Sequence, residues 1–221
     1  MRKALLYIGI GALVLISAGT ARAALINGGF ETGNLTGWTS SGGGSAGVHT
    51  SFSGIPWPYS PKEGSYFARI TSGNTNARYL SQGFNILSGM SVDGWAAFTT
   101  EDIYLSSEYV YRNDYAKVDI LNSSGAIIAT PWYTDVLEVG NVTSGPWEYW
   151  SWTAGADGSY TLRFMVSNAN PDTEDKGGFI NSSALFDANE IGGPPIPEPA
   201  SLSLLGSGLL GAIGAGFRRK K

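Results

Sequence analysis

Tyr115-Ala116-Lys117-Val118-Asp119-Ile120-Leu121 and Tyr160-Thr161-Leu162-Arg163-Phe164-Met165-Val166 decide the fold of this chain. Apolar and polar side chains alternate in them, in whole or in part, which is the period of a strand with one face buried. Tyr66 to Ser72 repeats the pattern, Val92 to Thr100 is rich in Trp, Ala, Phe and Thr, and Trp147 to Thr153 is aromatic and β-prone. Turn chemistry lies between such runs, at Asn27-Gly28-Gly29, Ser41-Gly42-Gly43-Gly44, Asn122-Ser123-Ser124-Gly125 and Ala156-Asp157-Gly158. No stretch of 24–196 has a helical period with caps. Short strands separated by turns predict an all-β domain, an antiparallel sandwich of eight to ten strands.

Composition restricts what such a domain does. Residues 24–196 hold seven Lys and Arg against seventeen Asp and Glu, a net charge of −10. Nucleic acid, whose phosphates need cations opposite them, is excluded as a partner. Neutral sugars and divalent cations remain compatible. The chain has no cysteine, so thiol catalysis, thiolate metal sites and disulfide scaffolds are excluded.

Both ends read as addresses. Met1-Arg2-Lys3, the apolar run Ala4 to Gly19 and Ala21-Arg22-Ala23 have the order of a secretory signal peptide, which predicts a signal helix over 1–23. Residues 24–191 are then the sandwich domain, and Gly192-Gly193-Pro194-Pro195-Ile196 an extended linker. From Ala200 to Phe217 no residue is charged. As a helix this stretch reaches about 27 Å, near the short end of a transmembrane span. Arg218-Arg219-Lys220-Lys221 should stay on the cytoplasmic side, which puts the domain outside the cytoplasm. An ordinary membrane anchor is physically sufficient to account for this tail.

The order Pro197-Glu198-Pro199, apolar span and basic cluster over 197–221 resembles the PEP-CTERM sorting signal of Gram-negative bacteria. The resemblance implies recognition of Pro197, Glu198 and Pro199 by an exosortase and transient anchoring in the inner membrane. Cell-surface or extracellular release after processing would follow, with an association with exopolysaccharide and biofilm. The bond that is cut is left open.

A second resemblance concerns the domain. Leu25-Ile26-Asn27-Gly28-Gly29-Phe30-Glu31-Thr32-Gly33-Asn34-Leu35-Thr36-Gly37-Trp38 resembles the opening strand of galactose-binding-like jelly-roll sandwiches, a class that includes many carbohydrate-binding modules. Ala184-Leu185-Phe186-Asp187 is similar to their closing strand. The resemblance implies adjacent first and last strands and a structural Ca2+ held by Glu31 and Asp187, with backbone carbonyls or water completing the six to eight oxygens that calcium takes. Asp187-Ala188-Asn189 departs from the class, which often has a second acid or Asn directly after the Asp.

Aromatic side chains are the main sign of a ligand. All seven Trp lie in 24–196, with ten Tyr and eight Phe. Trp and Tyr stack on the apolar faces of sugars at low entropic cost. Trp57 and Tyr59, between Gly54 and Pro61, and Tyr104, Tyr109 and Tyr111, in an acidic loop-like stretch, are the candidate ligand contacts. In Trp147 to Trp152, alternation separates Trp147, Tyr149 and Ser151 from Glu148, Trp150 and Trp152, with the core face left open. His49 is the sole histidine and has no nucleophile elbow to serve. No phosphate loop, zinc spacing or dinucleotide fingerprint occurs. The sequence thus favours a non-catalytic, exported sandwich that binds extracellular polysaccharide. A glycosidase-type enzyme on the same scaffold and a purely structural surface protein are the alternatives.

Overall fold

The computed structural model describes residues 25–54, 56–73, 77–100, 113–140, 143–168 and 182–189. The signal helix, the transmembrane span, Pro197, Glu198, Pro199, Tyr104, Tyr109 and Tyr111 all lie outside them. Among the described residues no helix is long and apolar enough to cross a membrane.

Thirteen strands occur among the described residues: β1 (Thr39–Gly42), β2 (Ser45–His49), β3 (Phe52–Ser53), β4 (Pro58–Tyr59), β5 (Phe67–Thr71), β6 (Arg78–Ile86), β7 (Ser91–Thr100), β8 (Tyr115–Leu121), β9 (Ile127–Asp135), β10 (Thr143–Ser144), β11 (Glu148–Thr153), β12 (Gly158–Ser167) and β13 (Ser183–Ala188). The count exceeds the expected eight to ten because β3, β4 and β10 are two residues each, too short to show a period. A single helical turn, α1 (Val136–Val139), follows β9, with the Asp135 carboxylate capping the Glu138 N–H.

Two antiparallel sheets form the sandwich. Sheet one has the order β1-β6-β12-β8-β9, and sheet two the order β10-β7-β13-β5-β2 with β11 also on β7. The long alternating runs became β8 and β12, which pair with each other through Arg163↔Asp119 and Phe164↔Val118. Their apolar positions Val118, Ile120, Leu162 and Phe164 face sheet two and are buried there with Ala184 and Phe186 of β13. Phe164 and Phe186 stack across the two layers, with ring centroids 4.2 Å apart. β11 resolves the open alternation: Trp150 and Trp152 turn to the core, and Tyr149 and Ser151 face solvent.

The outer faces of the sheets differ. That of sheet two is covered by the β3–β4 hairpin and by Trp147, which enclose Tyr59, Phe67, Ala97 and Leu185 in a second apolar cluster. On sheet one, the register places Ser41, Tyr79, Met165, Lys117 and Tyr133 in one row across all five strands. The neighbouring row runs Thr39, Ser81, Arg163 and Asp119.

The opening segment requires a correction. Residues 25–38 are a loop of turns, and the first strand begins at Thr39. β1 pairs with β6 in sheet one, whereas β13 lies between β7 and β5 in sheet two, so first and last strands are not partners. The physical reason is backbone conformation: Asn27 and Phe30 have φ of 56° and 61°, incompatible with extended chain. Asn27 compensates with its side chain, accepting from the Thr32 N–H and donating to the Asn34 and Thr36 carbonyls.

Candidate functional site: an oxygen-lined pocket and an open sheet face

The 25–38 loop nevertheless brings Glu31 to Asp187. Gln82 of β6 fastens the loop base, accepting from the Ile26 N–H and donating to the Ile26 and Gly37 carbonyls. Trp38 donates its indole N–H to the Asn27 carbonyl and stacks on Phe30 at 5.2 Å. Phe30 is fully buried, so packing holds the left-handed conformation that costs a bulky residue about 1–3 kcal/mol. Strained in this way, the chain turns Glu31 outward. Its carboxylate accepts from the Ser65 and Tyr66 N–H groups at 3.0–3.1 Å.

Asp187 approaches from the other side. On β13, alternation sends it to the outer face of sheet two, opposite Trp95 of β7. Its Oδ2 accepts from the Lys62 and Glu63 N–H groups at 2.9 and 3.0 Å. Its Oδ1 is buried with no hydrogen-bond partner, and the residue is 1% exposed. Burial pushes its carboxyl up to about 6, and the Glu63 and Glu31 charges add to this against the two backbone N–H bonds. Asp187 lines a pocket of about 250 Å³ with Glu31, Glu63 and the Asn27-Gly28-Gly29 and Ala188-Asn189 backbones.

The donor set fits calcium. Every ligand offered is oxygen, the choice of a hard cation. The Ala188 and Asn189 carbonyl oxygens both lie 3.3 Å from where a Gly28 Cβ would stand, so the bare glycine leaves that wall open. The buried Oδ1 of Asp187, which has no hydrogen-bond partner, is an oxygen that a hard cation would suit. Among the described residues no three His, Cys, Asp or Glu side chains gather closely enough to hold a metal by themselves. Backbone carbonyls are therefore needed to complete the shell.

The predicted aromatic contacts separate. Trp57 is 65% exposed at the tip of the β3–β4 hairpin. Tyr59 is 4% exposed, and this corrects its expected place among solvent-facing contacts. Its hydroxyl donates to the Gly145 carbonyl at 2.6 Å, and its ring packs edge-on against Trp147. Trp57 precedes β4 and stays in the hairpin loop, whereas Tyr59 lies within β4 and faces the sheet, with Pro58 facing out. His49 lies in β2 beside Phe67, its pKa lowered by burial and by Arg69.

Sequence reasoning missed the sheet-one face. Tyr115 and Tyr133 stack there with centroids 5.8 Å apart. The Arg163 guanidinium lies 5.4 Å over the Tyr79 ring, held by Asp119, whose Oδ2 also takes the Lys117 ammonium at 3.1 Å. Asp119 is fully buried beneath its two cations, with the Thr130 hydroxyl donating to its other oxygen. The available signal was the polar parity of β8 and β12, which names the outward residues but not the neighbours they meet.

Comparison with known proteins identifies the C-terminal segment. Residues 195–220 match the PEP-CTERM protein-sorting motif, the segment that holds Pro197, Glu198 and Pro199. The chain thus carries a sorting signal of the exosortase type, joined to an antiparallel β-sandwich. No curated protein matches it. Similar solved structures include carbohydrate-binding modules. TmCBM61 in complex with β-1,4-galactotriose is 16% identical at a TM-score of 0.48, over 77% of this chain and 98% of that one. The CBM22-1 xylan-binding domain of Xyn10C from Paenibacillus barcinonensis is 16% identical at 0.38, over 79% and 96%. The enzymatically active domain of bacteriophage CBA120 tailspike protein 4 is 14% identical at 0.44, over 76% and 21%. Similarity of this degree identifies neither a ligand nor a reaction for this chain.

Proposed function

We propose that this is an exported, non-catalytic surface or matrix protein, processed by an exosortase, whose sandwich of the jelly-roll class binds extracellular polysaccharide. The observation that carries the reading is the outer face of sheet one. Among the described residues its central rows carry tyrosines, a guanidinium, an ammonium and hydroxyls around Met165, with no apolar cover of the kind the hairpin makes on sheet two. Tyr79 and Tyr133 stand three strands apart in one row, about 14 Å at ordinary strand spacing. Rings so placed suit an extended chain of sugars, each ring stacking on an apolar sugar face. Trp57 on the hairpin, and Tyr104, Tyr109 and Tyr111 on sequence grounds, are further contacts of the same chemistry.

Calcium has a structural part in this reading. When bound, it supplies charge neutralisation for Asp187 and Glu31. Asp187 Oδ1, the Glu31 carboxylate and the carbonyls around Gly28 would hold it, tying the 25–38 loop to β13. Localisation follows the tail: passage through the inner membrane, a transient anchor, then the cell surface of a Gram-negative bacterium or its surroundings.

The test is a pull-down of the exported protein on the exopolysaccharide of its own host, with calcium and with chelator. Retention in calcium supports the reading. An absence of retention under both conditions overturns it.

A further inference from the structure

One strand position has a residue that folding does not require. Gly83 sits inside the nine-residue strand β6, paired with Thr161 of β12. It is not among the glycines with positive φ. A Cβ built on it would meet only the Tyr160 carbonyl oxygen, at 3.9 Å. Neither backbone conformation nor crowding therefore calls for glycine here. Glycine weakens a strand interior and commonly marks a place where a ligand comes close to the backbone.

The space above Gly83 is a hollow of about 470 Å³ on the outer face of sheet one, toward the end away from Tyr115. Asn85, Asn122, Ser123, Ser159 and Thr161 line it beside Gly83, and among the described residues no charged one does. Asn85 and Ser159 are opposite each other in register, and the Ser159 hydroxyl donates to the Asn85 Oδ1 at 2.5 Å. This bond orients the Asn85 carboxamide and leaves its NH2 group as a donor. Asn122 is oriented likewise, its Oδ1 accepting from the Ser124 N–H and hydroxyl and the Ala126 N–H. Fixed amide donors and hydroxyls around a bare backbone floor match a flat ligand rich in hydroxyl groups.

We infer that this hollow is a subsite for an uncharged sugar unit, and that Gly83 is the specificity-determining residue that admits it. The inference rests on the polysaccharide reading and narrows it to neutral glycans. An acidic sugar finds no cation in the hollow, and the domain's net charge of −10 opposes its approach. The sugar's apolar face lies on the Gly83 backbone, with its hydroxyls toward Asn85, Thr161 and Ser123.

Affinity electrophoresis of the exported protein tests this, with xylan, β-1,4-galactan, dextran, polygalacturonate or the host exopolysaccharide cast in the gel. The wild type should be retarded by at least one neutral polymer and not by polygalacturonate. Gly83→Ala, whose methyl meets open space, should bind about as well. Gly83→Leu should bind at least about tenfold more weakly with an unchanged or higher melting temperature, because leucine suits a strand better than glycine. A second variant, Asn85→Ala with Thr161→Val, removes two groups at solvent-facing positions and should also weaken binding about tenfold. Equal binding by wild type, Gly83→Leu and the double variant overturns the subsite and leaves the polysaccharide reading standing. Retardation by polygalacturonate alone overturns the neutral class. Failure of the wild type on every polymer, the host exopolysaccharide included, removes both readings.

Discussion

Asp187 shows what one residue can reveal about a site. Its carboxyl is buried and has one oxygen unpaired, and burial pushes it up to about 6 from 3.8. In chelator-treated protein the folded state therefore holds this proton more tightly than the unfolded state. Stability should fall as pH rises from about 4 to about 6, where the folded form must bury an ionised group. Melting temperature against pH measures this. Asp187→Asn should flatten the slope and abolish the rise in melting temperature on adding calcium, since an ion that binds only the native state must stabilise it. A calcium response that survives in Asp187→Asn would remove Asp187 from the ligand set. The hairpin offers a contrasting pair. Tyr59→Phe leaves the buried Gly145 carbonyl without its donor and should cost about 1–3 kcal/mol. Trp57→Ala, at an exposed tip, should change stability by no more than about 0.5 kcal/mol. Denaturant titration of both variants separates core from surface on the same two-strand element.

The elements were legible in the sequence to unequal degrees, for physical reasons. β8 and β12 declared themselves because each has one face on the core and one facing away, so period two runs through much of their length. β13 is buried on both faces and reads as SALFDA, with little alternation, yet it is the central strand of sheet two. Residues 25–38 misled in the opposite direction. Their apolar residues and glycines suit a strand in composition, while Phe30 takes a left-handed backbone that only tertiary packing against Trp38 makes tenable. Glu31 and Asp187 nevertheless line one pocket, although the element that carries Glu31 is a loop and not a strand. The tyrosines of sheet one were missed since register, not composition, gathers them. β12 and β13 join the two layers through Phe164 and Phe186. Phe164→Ala or Phe186→Ala should each cost about 3–5 kcal/mol. The double variant should cost less than their sum, because stacked neighbours couple. Additive losses would mean that the rings stabilise the sandwich independently.

At the scale of the molecule, a C-terminal sorting motif is joined to the sandwich. β13, which ends at Ala188, is followed by the Gly/Pro linker 192–196 and then by the matched sorting segment. Ala188 and Ile196 are eight residue steps apart, at most about 29 Å fully extended. This short stretch joins the matched sorting motif to the sandwich in sequence. Mass spectrometry of exported protein should find no peptide extending to Lys221. Its presence in mature material would mean a permanent anchor instead of a processed signal. The acidic net charge disfavours nucleic acid and anionic polymers alike, and leaves hydroxyl-rich neutral chains as the ligands that the outward tyrosines and amides of sheet one suit. The measurement that tests this most directly is the dissociation constant of the exported protein for its host's exopolysaccharide, compared with that of Tyr79→Ala with Tyr133→Ala. The account predicts saturable binding that the double variant weakens about fivefold or more, each lost stacking contact contributing about 0.5–1.5 kcal/mol. Identical constants for the two proteins, or no binding by either, would contradict it.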